Sequence, residues 1–198
     1  KAKVEVFTTR PDTIFGATFL VLGPEHELIA KCKMYIANWK EVEDYIQKSR
    51  KKTVEQRLEV KNEKTGVQLK GIMAINPASK EEIPVWVADY VLGSVGTGAI
   101  MAVPAHDERD FAFAKKYWLD IVPVVAHEKA SGSSAAHVAE RLRGFVAEEV
   151  YTGRGILMHS KEFNGMDSEE AKWKIVEKLE GRKETHYRLR DWVFSRQR

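Results

Sequence analysis

The sequence is poor in cysteine and in long apolar runs, and both deficits narrow the class of protein. Cys32 is the only cysteine among 198 residues, so no disulfide can form within the chain. No apolar run approaches the roughly 20 residues that a helix needs to cross a bilayer. The sequence therefore predicts a protein of a reducing, cytoplasmic compartment that makes no membrane contact.

A strong charge of one sign and an internal repeat are also absent. The chain has 32 basic and 29 acidic side chains, a formal net charge of +3, so its general attraction to nucleic acid is weak. No fixed period recurs, which excludes solenoids and propellers. A hydrophobic content of 43% suits one compact domain. The chain begins with a strand pattern and not with Met, so we expect a fragment of a longer protein.

Apolar periodicity predicts an alternation of strands with few long helices. Val4 and Val6 alternate with polar residues, and a second apolar run covers residues 14–23, so two strands are expected there. Pro24 and the spacing that follows it predict a helix to about Leu58. Further strands are expected at residues 66–77, 81–93, 99–104 and 121–125, with the first two as a hairpin, and helices at 107–118 and 167–181.

These elements predict a mixed α+β fold that is mainly β, with a central barrel-like core and peripheral helices. Hairpins and irregular loops join the strands, whereas a doubly wound sheet requires regular alternation of strands and helices. The Ser/Gly-rich stretch at about 128–139 has no apolar period and is expected to be a flexible insertion.

The stretch GTGAIMAVPAHDERD, residues 96–110, contains glycines followed by polar side chains, a combination that also occurs in phosphate-binding loops. A dinucleotide-binding loop opens a helix, but these glycines precede a strand pattern and a third glycine is missing. A Walker loop is excluded because no Lys-Ser or Lys-Thr pair follows. Gly96 and Gly98 are therefore expected to permit a bend or a close approach of the backbone.

His106, Asp107 and Asp110 form the polar end of this stretch. A metal site of the His-Asp type needs further histidines at paired spacing, which the sequence does not offer, so no metal is expected. Asp107 and Asp110 also fit the start of a helix, where an aspartate caps the first turn. From spacing alone both a structural and a functional interpretation stay open.

Four blocks in one order resemble the connective-peptide editing domain of leucyl-tRNA synthetase. The blocks are TTRPDT at 8–13, GTGAIMAVPAHDERD at 96–110, EFNGM at 162–166 and RLRDWVFSRQR at 188–198. The isoleucyl and valyl relatives usually carry Thr-Thr-Thr-Pro-Trp-Thr in the first block, whereas Arg10, Pro11 and Asp12 match the leucyl pattern. The resemblance implies an editing domain over residues 1–187 and a connector to the catalytic core over 188–198.

The resemblance implies hydrolytic editing of mischarged tRNA(Leu). The aminoacyl ester of isoleucine, norvaline or methionine would be cleaved, while leucine would be rejected. No HIGH-like or KMSKS-like stretch occurs in these residues, so the chain itself is not expected to aminoacylate. No cofactor is expected for editing, since ATP and Mg serve only the full synthetase. The implied partners are the 3′ end of charged tRNA(Leu), the noncognate amino acid and the rest of the synthetase.

The resemblance also implies catalytic roles for four residues. Thr13 corresponds to the side chain that blocks leucine, and its β-branched shape makes it a stiff wall. Asp110 corresponds to the carboxylate that anchors the α-amino group of the substrate. The hydroxyls of Thr8 and Thr9 would hold the substrate or the attacking water.

Other residues would form the surroundings of the reacting ester. Met101, Val103, His106 and Asp107 are expected to contact the substrate, and Arg10 and Arg109 the tRNA, unless either arginine only pairs with a nearby aspartate. His106 or a hydroxyl of the terminal ribose could assist the water.

Two other functions compete with editing. One is a non-catalytic module that binds the tRNA 3′ end, and the other is a small-molecule or peptide hydrolase that uses His106 with Asp107.

Overall fold

A computed structural model describes residues 2–58, 64–93, 95–127 and 149–184. The α-helices are α1 (Glu27–Lys31), α2 (Trp39–Arg50), α3 (Val54–Leu58), α4 (Glu108–Tyr117) and α5 (Ser168–Lys178). Short 3₁₀ helices cover Pro11–Gly16, Lys33–Tyr35 and Lys161–Phe163. The strands are β1 (Phe19–Leu22), β2 (Gly66–Ile75), β3 (Glu82–Ala88), β4 (Ala99–Ala102), β5 (Val125–Ala126) and β6 (Ile156–Leu157). The predicted insertion at 128–139 and connector at 188–198 lie outside the described residues.

The main sheet has the strand order β2-β3-β1-β4. The predicted hairpin is confirmed, since β2 pairs antiparallel with β3, and its register shifts near Gly71, which has a φ of 94°. β1 is parallel to β3 and antiparallel to β4, so Phe19 lies opposite Ala102. β5 and β6 form a separate two-stranded sheet.

The mixed α+β class is confirmed, but the predicted barrel is not. The strands of the described ranges form two open sheets, and helices hold more residues than strands there, so the prediction of a mainly β fold is wrong for these ranges. Val4 and Val6 belong to a segment without strand pairing, although both pack on the core. A strand requires a hydrogen-bonding partner, which alternation of apolar residues does not supply.

The predicted helix from Pro24 to Leu58 is divided into α1, a 3₁₀ turn, α2 and α3. Asn38, just before α2, uses its side-chain amide to bind the backbone of Gln68 and Lys70 in β2. Thr53 and Gln56 form a reciprocal capping box at the start of α3. A contact with a distant strand at Asn38 and a local capping box at Thr53 thus favour helix ends over a continuous helix.

Both faces of the main sheet are covered, which explains the uninterrupted apolar run in β1. Leu20 and Leu22 pack in a core cluster with Val42 of α2. Phe19 packs on the other face against Phe113 of α4, with ring centroids 5.5 Å apart. Strands that are buried on both sides have no polar face to alternate. Every helix in the described part of the chain is too short or too polar to span a bilayer.

Candidate active site

The topology brings two of the sequence blocks to one end of the main sheet. Because β1 and β4 are antiparallel and Phe19 pairs with Ala102, the chain that enters β1 lies beside the chain that leaves β4. The 3₁₀ helix Pro11–Gly16 comes before β1, and the turn into α4 follows β4. Thr13 and the first turn of α4 are thereby placed at the same end of the sheet.

Asp107 caps α4, as its spacing predicts. Its side chain accepts hydrogen bonds from the backbone N–H of Arg109 at 2.9 Å and of Asp110 at 3.2 Å. These are donors that the first helical turn leaves without an intrahelical partner. The structural interpretation of Asp107 is therefore confirmed, and its predicted contact with the substrate stays a prediction.

Asp110 lies in the first turn of α4 and is only 4% exposed. Its Oδ1 accepts a hydrogen bond from the Tyr90 hydroxyl at 3.1 Å, and its Oδ2 accepts one from the backbone N–H of Val103 at 2.9 Å. Burial, followed by the neighbouring charge of Asp107, raises the pKa of the Asp110 carboxyl to about 7. The group can therefore change its charge near neutral pH.

Thr13 lies within the 3₁₀ helix and is fully buried. Its hydroxyl donates to the carbonyl of Arg10 at 2.9 Å, so the orientation of the side chain is fixed. The Thr8 hydroxyl accepts a hydrogen bond from the Arg10 N–H at 2.9 Å, while Thr9 is exposed. Among the predicted hydroxyl groups, that of Thr9 is thus the most accessible to a ligand.

The two candidate arginines differ in what they contact. The Arg10 guanidinium pairs with buried Asp12 at 2.8 Å and also donates to the carbonyls of Thr152 and Gly153. Arg109 is 59% exposed and lies 3.4 Å from Asp107. Arg10 therefore ties the first block to the chain before β6, whereas Arg109 has the exposure that a phosphate contact requires.

His106 is buried and both of its ring nitrogens are engaged. Nδ1 donates to the Tyr151 carbonyl at 2.8 Å, and Nε2 accepts from the N–H groups of Val124 at 3.0 Å and Val125 at 3.3 Å. Since a carbonyl only accepts and an N–H only donates, the ring is held in one neutral tautomer. Burial lowers the pKa of His106 in addition. These contacts describe a structural histidine that joins three segments.

Met101 and Val103 lie on either side of the end of β4. Met101 is half-buried and packs against a core cluster that contains Phe15 and Ile14, the residue that follows Thr13 in the chain. Val103 is buried, and its N–H binds Asp110. Both are at the end of the sheet where the predicted pocket would lie, and contact with a ligand stays a prediction.

Two further residues of this region are not expected from the sequence. Tyr90 follows β3 and holds Asp110, although its sequence context indicates only a strand. Asn76 is buried, and its amide donates to the carbonyls of Ile14 and Ala17 at 2.8 Å and 3.3 Å, while its oxygen accepts from the Ala78 N–H at 2.9 Å. Asn followed by Pro is a turn signal, but nothing in it indicates the distant partners.

Two surface cavities lie away from these residues. A cavity of about 610 Å³ is lined by residues that include Glu5, Glu25, His26 and Thr97, and one of about 390 Å³ lies beside α1 and Trp39. Neither is lined by the predicted site residues, so the leucine-rejecting pocket stays a prediction. The described part of the chain contains no group of three or more metal-binding side chains.

Comparison with known proteins identifies the family. The family model described as "Leucyl-tRNA synthetase, editing domain" matches residues 1–180. A leucine--tRNA ligase of Alkaliphilus oremlandii (strain OhILAs) is 46% identical over 202 residues, which cover 99% of this chain and 23% of that protein. The crystal structure of a ternary complex of Agrobacterium radiobacter K84 agnB2 LeuRS, tRNA and LeuAMS matches with a TM-score of 0.51 and 34% identity, covering 72% of this chain and 17% of that one.

The chain belongs to the leucyl-tRNA synthetase editing domain family, as the four sequence blocks predict. It spans less than a quarter of the length of the curated relative that it matches. Membership of this family supports a proofreading, deacylating role in protein biosynthesis.

Proposed function

We propose that the chain hydrolyses the aminoacyl ester of tRNA(Leu) charged with a noncognate amino acid such as isoleucine, norvaline or methionine, and that it spares leucyl-tRNA(Leu). Water adds to the ester carbonyl, the bond to the terminal ribose oxygen breaks, and that oxygen takes up a proton. The products are the free amino acid and uncharged tRNA. An activated ester needs mainly a positioned water and a fixed substrate.

The buried carboxyl of Asp110 is the observation that carries this proposal. It lies at the N-terminal turn of α4, at the same end of the sheet as Thr13. Each of its oxygens accepts one hydrogen bond from the protein, which leaves further lone pairs for the ammonium group of an amino acid. A fixed ammonium would place the ester next to the first sequence block.

Thr13 would exclude leucine at this site. One methylene, or the position of one methyl group, changes binding by only about 1–3 kcal/mol, so synthesis alone discriminates poorly among aliphatic amino acids. A buried Thr13 with a fixed hydroxyl has the rigidity that a wall against a γ-branched side chain needs. Unbranched and β-branched side chains would pass it. Because Thr13 is covered, entry of the substrate requires local rearrangement.

The roles of the other candidate site residues are proposed from the exposure and the contacts of each side chain. Thr9 would hold the substrate or the water, with Thr8 fixed beside it, and Arg109 would contact the tRNA backbone. Arg10 would contribute mainly through its bonds to the chain before β6. Engagement of both nitrogens of His106 favours the terminal ribose hydroxyl as the group that assists the water.

Ester release by the purified chain tests the proposal directly. Isoleucyl-tRNA(Leu) and leucyl-tRNA(Leu) are incubated with the chain, with and without a chelator, and release of the amino acid is followed. We expect release of isoleucine only, unaffected by the chelator. Binding without release would identify a tRNA 3′-end binding module instead. Release that the chelator abolishes would favour a metal-dependent hydrolase.

A further inference from the structure

Tyr90 connects the end of β3 to the carboxyl group of Asp110. Its side chain is 4% exposed, and its hydroxyl lies 3.1 Å from Asp110 Oδ1. We propose that Tyr90 is a positioning residue for ester hydrolysis, which fixes the plane of the Asp110 carboxylate and stabilises its charged form. This inference rests on the proposed function, because Asp110 is the group that would hold the amino end of the substrate.

Two hydrogen bonds together determine the orientation of this carboxylate. The backbone N–H of Val103 binds Oδ2 at 2.9 Å from one side, and Tyr90 binds Oδ1 from the other. With one bond alone the carboxylate could rotate about the bond to its Cβ. With both in place, the unused lone pairs point in fixed directions, as an ammonium group requires.

Arg57 holds the backbone on both sides of Tyr90. The Arg57 guanidinium is buried, and it donates to the carbonyl of Asp89 at 2.6 Å and to that of Val91 at 2.9 Å. It also pairs with Glu25 at 2.7 Å. The two carbonyls that flank Tyr90 in the chain are thus bound to one rigid, planar group. This arrangement limits movement of the tyrosine relative to the sheet.

The ring of Tyr90 contacts the same helix that carries Asp110. It packs against Phe113, with ring centroids 5.8 Å apart, and Phe113 follows Asp110 by three residues on α4. Residues three apart lie on the same face of a helix. Tyr90 therefore holds α4 through one apolar contact and one hydrogen bond.

The hydrogen bond also affects the charge of Asp110. Burial and Asp107 raise the pKa of Asp110, while the Val103 N–H, the Tyr90 hydroxyl and the charge of Arg109 lower it. A donor that binds a carboxylate stabilises the ionised form. Removing the hydroxyl of Tyr90 is therefore expected to leave a smaller fraction of Asp110 ionised at neutral pH.

Tyr90→Phe tests the proposal, with Tyr117→Phe as the matched control. Tyr117 lies in the same aromatic cluster, with its ring centroid 4.5 Å from that of Phe113, but its hydroxyl binds the backbone N–H and carbonyl of Gly66 at 3.0 Å and 3.1 Å. Each variant thus loses one tyrosine hydroxyl from this cluster. Only Tyr90→Phe loses the contact with Asp110.

Deacylation of isoleucyl-tRNA(Leu) by the whole chain is measured from pH 5.5 to 8.5, and Asp110 is titrated by carboxyl ¹³C NMR. We expect Tyr90→Phe to shift the Asp110 titration and the acidic limb of kcat/KM to higher pH. At pH 7 kcat/KM should fall about threefold to tenfold, the usual range for one hydrogen bond. It should recover only in part at higher pH, because the carboxylate is then ionised but still lacks one of the two bonds that orient it. Tyr117→Phe should change neither curve.

An unchanged Asp110 titration in Tyr90→Phe would overturn the proposal, as would a kcat/KM that is unchanged at every pH or an equal shift in Tyr117→Phe. A wild-type chain that releases no isoleucine would refute the proposed function, and with it the role of Tyr90 in hydrolysis. The NMR titration would still separate that failure from a failure of the Tyr90–Asp110 contact.

Discussion

Asp107 caps the helix that carries Asp110, so two carboxyl groups lie within one helical turn. The Asp107 side chain accepts a hydrogen bond from the backbone N–H of Asp110 at 3.2 Å. After burial, the charge of Asp107 is the largest factor that raises the pKa of Asp110. A residue with a structural role therefore adjusts the ionisation of the proposed substrate anchor.

Asp107→Asn is expected to separate these two effects. Asparagine caps helices about as well as aspartate, so the free energy of unfolding should change little. Loss of the charge should lower the pKa of Asp110 and move the acidic limb of the deacylation profile to lower pH. Chemical denaturation and pH-dependent deacylation assays measure the two effects. An unchanged acidic limb in Asp107→Asn would contradict the effect of the Asp107 charge on the pKa of Asp110.

The cap of α5 offers the matched control for Asp107. Asp167 accepts hydrogen bonds from the backbone N–H groups of Glu169 at 2.9 Å and Glu170 at 3.2 Å, nearly the same geometry. Replacing either aspartate by alanine should cost about 1 kcal/mol of stability. Only the change at Asp107 should shift the pH profile of deacylation.

Asp110→Asn is expected to abolish deacylation of isoleucyl-tRNA(Leu) while the fold is retained. Its amide can accept from the Val103 N–H and donate to the Tyr90 hydroxyl, but it has no charge to bind an ammonium group. Glu108→Gln, on the exposed side of the same helical turn, is the control and should remain active. Normal activity of Asp110→Asn would refute the assignment of the anchor.

The same variant should also change how stability depends on pH. Because the folded state raises the pKa of Asp110 from 3.8 to about 7, the folded state binds more protons than the unfolded state between these values. The free energy of unfolding therefore falls as pH rises through this window, by about 1.4 kcal/mol per pH unit from this group. Urea denaturation at pH 4.5 and 6.5 should show this loss in the wild type relative to Asp110→Asn. If the free energy of unfolding changes equally with pH in the wild type and in Asp110→Asn, the raised pKa of Asp110 is contradicted.

Thr13→Ala is expected to make the chain hydrolyse leucyl-tRNA(Leu). The substitution removes the branched wall, whereas Thr13→Val keeps its shape and should still protect leucine. Thr13→Val loses the hydroxyl bond to the Arg10 carbonyl, but that carbonyl still accepts from the Thr13 N–H at 3.1 Å. Release of leucine measures both variants. Leucine protection that survives in Thr13→Ala would exclude this residue as the wall.

His106 is expected to have a pKa below that of an exposed histidine and to make the free energy of unfolding depend on pH. Because burial lowers its pKa in the folded state, its contribution is present above pH 6.5 and is lost as pH falls towards the lowered value. His106→Ala would leave the N–H of Val124 and the carbonyl of Tyr151 without this partner, at a cost of about 1–3 kcal/mol. NMR titration of the ring checks the charge, and a pKa near 6.5 would contradict the interpretation.

The parts of the fold that the sequence predicts are those with local signals. α4 and α5 follow from an aspartate cap and helical spacing, and the β2–β3 hairpin follows from two apolar runs around a short turn. The open sheet and the helix break before α2 depend on partners distant in the chain, such as the parallel pairing of β1 with β3 and the contact of Asn38 with β2. Periodicity does not identify such partners.

The candidate site can also be predicted from the sequence only in part. The resemblance to a family indicates Thr13 and Asp110, and spacing indicates the cap at Asp107. The tyrosine that binds Asp110 and the three backbone partners of His106 are 18 to 45 residues away in the chain. Backbone amides and carbonyls recur along the whole chain, and Tyr90 is one of six tyrosines, so the sequence carries no mark of these contacts.

Asn76 joins the turn of the β2–β3 hairpin to the 3₁₀ helix that contains Thr13, through two donated bonds and at least one accepted bond. Aspartate would lose both donors, and glutamine would displace the same amide by one methylene. The turn thus tolerates few substitutions at this position, although Asn76 is not among the residues proposed to touch the substrate. In the proposed editing reaction, errors in amino-acid discrimination are accordingly expected also from mutations of residues that do not touch the substrate.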